Sequence, residues 1–153
     1  VDTTRDDATA TPRTGSKKLN ALLWTLQGLL ALFLGLASGA PKLLMPAEAL
    51  PMPIPLAPDF LHFIGVCEVL GALGLILPGV LRIRPGVTVL AAAGIALLTV
   101  CAAVYQVMAS QPESAVFALV IGALAAFVAY GRGRLVPLRA AGRAAPATLQ
   151  PVA

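Results

Sequence analysis

Any chemistry in this chain would centre on Glu68. It is the one acid in FLHFIGVCEVLGALGLILPGV, residues 60–80. That stretch is long enough to cross a bilayer, since a spanning helix needs about 20 mostly apolar residues. An acid at membrane depth is costly and usually faces a bundle interior or a polar cavity, where it serves relays and ligand sites. Counted from the start of its stretch, Glu68 lies roughly 12 Å deep at about 1.5 Å per residue. Lys42 follows the first apolar run on the same side, and a lysine stem can carry its ammonium inward. Two readings stand. Glu68 is a proton-accepting or quinone-contacting carboxyl, or it is a structural acid satisfied by Lys42, Tyr105 or backbone donors.

Other polar residues could share that site. Gln27 sits inside the first apolar run and could bond across helices. Tyr105 and Gln106 end the third run; Tyr105 is either an interfacial anchor or part of a cavity with Glu68. Cys67 and Cys101 fall at matching depths, which allows a redox pair, yet free cysteine also behaves as a small apolar packing residue. A bridge further needs Cα atoms within about 7 Å. His62 stands six residues before Glu68, on another helix face, and is the only histidine, so no metal site is expected. No phosphate-binding loop or nucleophile triad is present. With no complete catalytic set, the chain is expected not to be an enzyme; were it one, it would be part of a quinone-linked oxidoreductase.

Composition dictates what positions these residues. Hydrophobic residues make up 58% of the chain and charged ones 12%, against about 25% charged in a soluble domain. Such a chain is a polytopic membrane protein, all-α, with four apolar spans at about 19–38, 60–80, 86–108 and 114–131. Gly65 and Gly71, three residues either side of Glu68, with Gly74 and Gly94, are expected to let helices pack closely. Residues 39–59 hold six prolines. That segment is too broken to span and too apolar to float, so it reads as a stiff extracytoplasmic cap with polyproline-like stretches. Ser110 and Glu113 have capping-box spacing and would start the fourth helix. Residues 1–18 and 135–153 read as disordered tails flanking the 19–134 membrane domain.

Charge sets orientation. Of the eleven Lys and Arg residues, all but Lys42 fall on the side shared by both tails and the loop carrying Arg82 and Arg84. The positive-inside rule then places both termini in the cytoplasm. The basic residues flank spans instead of forming one stripe, so no nucleic-acid partner is expected. The basic stretch before residue 19 has the outline of a signal peptide, with Ser38-Gly39-Ala40 as a small-residue cleavage site. The apolar run is too long for that, and an uncleaved first span is preferred.

The run GVCEVLGALGLILPGVLRIRPGVTVLAAAGIALL resembles the DoxX-like family of small four-helix membrane proteins. The matching residues are Gly65, Glu68, Leu70, Gly71, Gly74, Leu75, Pro78, Pro85, Ala91, Ala92 and Gly94. Gln27, Gly35 and Lys42 fit as well, as does AAFVAYGR ending at Arg132. Gln106 departs from the family pattern, standing where a histidine often lies. The resemblance implies a bundle in the inner membrane, associated with quinone chemistry in some members and with partner membrane proteins in others. The leading expectation is a non-catalytic subunit or accessory packed against other membrane proteins or a second copy. The alternatives are a quinone-linked redox or proton-relay subunit using Glu68 and, less favoured, a small-solute carrier.

Overall fold

The computed structural model describes residues 14–50, 52–81, 84, 86–136 and 138. Most of both expected tails, and Arg82, lie outside the described residues. Among those described, the regular structure is entirely helical. Helix α1 (Thr14–Leu32) runs into a wider π-helical stretch, Phe33–Gly39, and then into α2 (Ala40–Leu44). Together they form one continuous rod, of which Lys17–Leu44, 28 residues, is the candidate membrane span.

The sequence reading ends this helix at Ser38, but it continues past Pro41. Pro41 has no N–H to give Ala37, and a proline inside a regular helix also crowds the preceding turn. The chain relieves this by widening the turns upstream, where the Ala40 N–H bonds the Gly35 carbonyl, five residues back. The rod therefore extends far enough to carry Lys42 on a helix, one turn beyond Ser38.

The cap is correspondingly shorter than 39–59. From Met45 the backbone is extended, with a 3-10 turn at Ala47–Ala49 and Pro46 in polyproline-like geometry, before helix α3 (Pro58–Val80) begins. Pro58 suits a first helical turn, where its missing N–H costs nothing. Pro78 does not stop α3, which runs on to Val80. Helix α4 (Gly86–Met108) follows, then α5 (Pro112–Tyr130), extended by a π-helical turn at Gly131–Leu135. The Ser110–Glu113 capping box does not form. Ser110 adopts a left-handed φ of 58°, and α5 starts from Gln111 with no side-chain cap and a proline in its first turn.

Among the described residues, four helices are long and apolar enough to cross a membrane; the chain is a multi-pass membrane protein. Leucines such as Leu29, Leu36, Leu90 and Leu97 stand outward, where lipid is as apolar as they are. Association in that solvent comes from close packing and interhelical hydrogen bonds. The interior holds Leu23, Leu30, Leu34, Leu75, Ile95 and Val128. Small residues set the helix spacings: a Cβ on Gly74 would stand 2.7 Å from the Ala91 Cβ, and one on Gly71 would stand 2.9 Å from Ile95 Cγ1. Gly94 differs from the packing role expected of it, because a Cβ there would meet nothing within 4 Å.

These two glycines should therefore respond oppositely to alanine. Gly74→Ala is expected to destabilise the bundle by about 1–3 kcal/mol through overpacking. Gly94→Ala should be neutral or gain about 0.5–1 kcal/mol from helix propensity. Thermal unfolding in one detergent would read both.

Candidate functional site

The rod brings Ser38 and Lys42, four residues apart, onto one face against α3. Gly39 and Gly65 make the approach possible. A Cβ on Gly39 would lie 3.2 Å from Glu68 Cβ, and one on Gly65 would lie 3.0 Å from Lys42 Cβ. Across this contact Lys42 Nζ donates to Glu68 Oε2 at 2.7 Å and to Oε1 at 3.0 Å. Ser38 Oγ donates to Glu68 Oε1 at 2.9 Å. Nζ also lies 2.7 Å from Ser38 Oγ and 3.1 Å from the Ser38 carbonyl. Glu68 is 7% exposed. The ammonium thus has acceptors for all three protons, and the carboxylate takes a hydroxyl proton besides the ammonium's. The group is a closed clamp between the rod and α3. Sequence reasoning missed Ser38 as a partner. Its signal was the four-residue spacing to Lys42, which has meaning only once the helix is known to pass Pro41.

Glu68 also forms part of the wall of a cavity of ≈ 460 Å³. Phe33, Leu34 and Ser38 line it from the rod, Thr99 and Gln106 from α4, and Glu113, Ser114 and Phe117 from α5. Phe33 and Phe117 meet edge to face, with centroids 5.5 Å apart. The Thr99 hydroxyl donates back to its own helix, at the Ile95 and Ala96 carbonyls, so towards the cavity it can only accept. Gln106 Oε1 is buried without a hydrogen-bond partner among the described residues.

Tyr105 and Gln27 go elsewhere. The Tyr105 hydroxyl donates to the Ile54 carbonyl at 2.6 Å and accepts the Ile54 N–H at 3.1 Å. It pins the cap to α4. Tyr105→Phe deletes both bonds, each worth about 0.5–1.5 kcal/mol. Hydrogen exchange at Ile54 should accelerate roughly tenfold or more while the spanning helices keep their protection. Exchange-mass spectrometry would detect this.

Gln27 belongs to a second polar cluster at the opposite end of the bundle. Its Nε2 donates to the Leu75 carbonyl of α3, and its Oε1 accepts from Arg132 Nε at 2.7 Å. Arg132 Nη1 donates to Asn20 Oδ1 at 2.6 Å, and the guanidinium stands 5.2 Å from the centroid of the Trp24 ring. Arg132 is 2% exposed. One arginine therefore ties the end of α5 to α1 and, through Gln27, to α3. A glycine admits it: a Cβ on Gly131 would lie 2.6 Å from Leu23 Cδ2. The sequence reading treats Arg132 as a charge following the fourth span and as the end of the AAFVAYGR stretch, with no partner named for it. The missed signal was a buried glutamine in need of a partner at the same end of the bundle.

Cys67 and Cys101 both border an apolar groove between α3 and α4, alongside Gly71, Gly74 and Gly94, and both thiols are free. The His62 ring lies against the Pro58 carbonyl of its own first turn and is exposed. No three His, Cys, Asp or Glu residues converge among the described residues.

Compared with known proteins, residues 25–128 match the family model described as the DoxX-like family. No curated protein and no solved structure matches the chain.

Proposed function

This chain belongs to the DoxX-like family, and from that premise we propose that it is a non-catalytic subunit or accessory of a membrane complex. The observation carrying this reading is the closed Lys42–Ser38–Glu68 clamp. A relay acid must be free to take and release a proton. Glu68 instead holds an ammonium and a hydroxyl, and removing either charge would strand the other in a low-dielectric interior. The short connections between spans also leave little of the described chain outside the membrane to work on a soluble substrate. The partners are other membrane proteins or a second copy, within the inner membrane. Both termini lie in the cytoplasm, as the one-sided distribution of basic residues favours.

The quinone-linked reading draws on the cavity beside Glu68. A quinone presents two carbonyl acceptors and needs donors, whereas the Lys42 protons are already engaged. The two readings part in one experiment. The protein is purified in mild detergent from its own membranes, and quinone binding and quinol-dependent electron transfer are measured for wild type and Glu68→Gln. The accessory reading expects neither activity in either protein, with the variant differing in stability and in the proteins that co-purify. Quinone binding that the variant lacks would overturn it.

A further inference from the structure

The cavity on the α5 side of Glu68 carries an uncompensated negative charge in its lining. The charged donor is engaged, Lys42 on Glu68 and Ser38, as are the hydroxyls of Ser38, on Glu68, and of Thr99, on the carbonyls of its own helix. The Ser114 hydroxyl and the Gln106 amide N–H groups also line the cavity. Acceptors remain. Thr99 keeps its hydroxyl lone pairs, Gln106 has an amide oxygen with no partner among the described residues, and Glu113 brings a carboxylate to the lining. The terminal torsion of a glutamine is soft, so this amide turns readily to meet a donor. Charge points the same way. Lys42 neutralises Glu68, which leaves Glu113 as the uncompensated charge of the lining. Ser114 apart, the rest of the wall is apolar and aromatic, with Phe33 and Phe117 side by side.

We propose that this cavity binds a singly charged organic ammonium with an apolar or aromatic body. Its N–H groups meet Glu113 and Gln106, and its body lies on the two phenylalanines, deeper in the bundle towards Thr99. Cations favour aromatic faces, the more so away from water. A cavity of ≈ 460 Å³ is within the size range of small-molecule sites. A quinone would leave the charge of Glu113 unmet. A bare metal ion would lack the several converging ligands it needs. This inference goes beyond the accessory role and does not rest on it.

The test uses the full chain in mild detergent and isothermal titration calorimetry. The probes are phenylethylammonium, its uncharged analogue phenylethanol, and menadione as an acceptor-only ring. Phenylethylammonium is expected to bind at least about tenfold more tightly than phenylethanol, and menadione more weakly than either. Glu113→Gln should reduce phenylethylammonium affinity by roughly tenfold, because the site loses its net charge. Its unfolding temperature should stay close to wild type, since Glu113 is exposed at a helix start outside the clamp. Phe117→Leu should weaken all aromatic probes a few-fold. Equal affinities for the ammonium and the alcohol, an unchanged affinity in Glu113→Gln, or no ammonium binding would each overturn the proposal. Preferential binding of menadione would overturn it in favour of a quinone site, leaving the clamp itself untouched.

Discussion

Lys42→Met is expected to lower the unfolding free energy of the bundle by about 3–5 kcal/mol, among the largest losses any single substitution here should cause. The substitution keeps the length and apolar stem of the side chain but removes the ammonium. Glu68 is then left with the Ser38 hydroxyl as its one polar partner, at 7% exposure. Glu68→Leu should cost a similar amount for the converse reason, since it strands an ammonium whose best acceptors are gone. Ser38→Ala removes one hydroxyl and should cost less, about 1–2 kcal/mol, because the charges still neutralise each other. The order Lys42→Met and Glu68→Leu well above Ser38→Ala is measurable by thermal or denaturant unfolding in a fixed detergent. An acid poised for proton transfer, with no binding duty, would give the opposite ranking: little loss of stability from either charged residue.

Gln27→Leu is the second large effect, with an expected loss of about 3–5 kcal/mol. Gln27 is fully buried and bonds in two directions, to the Leu75 carbonyl and to Arg132. Without it, the guanidinium keeps Asn20 and the Trp24 face but loses the acceptor for Nε, while Nη2 already lacks a hydrogen-bond partner among the described residues. A buried charge left so poorly satisfied is costly. Arg132→Met should therefore be milder than Gln27→Leu, at about 1–3 kcal/mol, because it removes the charge along with its bonds. Arg132→Lys should not rescue. A compact ammonium cannot reach both Asn20 and Gln27 as the planar fork does. Equal losses from Gln27→Leu and Arg132→Met would show that the glutamine, and not the buried charge, is what matters at this end.

These two clusters show where the sequence was informative. Four apolar runs broken by proline and charge were visible from composition, because membrane depth imposes a length on each helix. The Glu68–Lys42 pairing was open to inference as well, since the one acid inside an apolar span and the one base on that side stood within reach of each other. Ser38 was hidden behind Pro41, which as a residue type argues for a helix end. Only the widened turns ahead of it let the helix continue. Tyr105 and Gln27 stand out in the sequence as polar residues in apolar runs that could share the Glu68 site, and residue type does not say which way a side chain faces. Tyr105 turned to the unpaired backbone of the cap, and Gln27 turned to an arginine drawn inside by the space at Gly131. Gly94 was counted with the packing glycines by type, although on a helix apolar all round a glycine's identity does not report its face.

The most direct measurement is the double variant Lys42→Met/Glu68→Leu, replacing the wild-type gene in its own cell. If the pair is a clamp, filling its place with apolar side chains should restore stability to within about 1.5 kcal/mol of wild type. The same membrane proteins should then co-purify in the same proportion. A double variant that folds as well as wild type yet loses those partners, or loses a quinol-dependent activity that wild-type membranes possess, would contradict a structural role for Glu68.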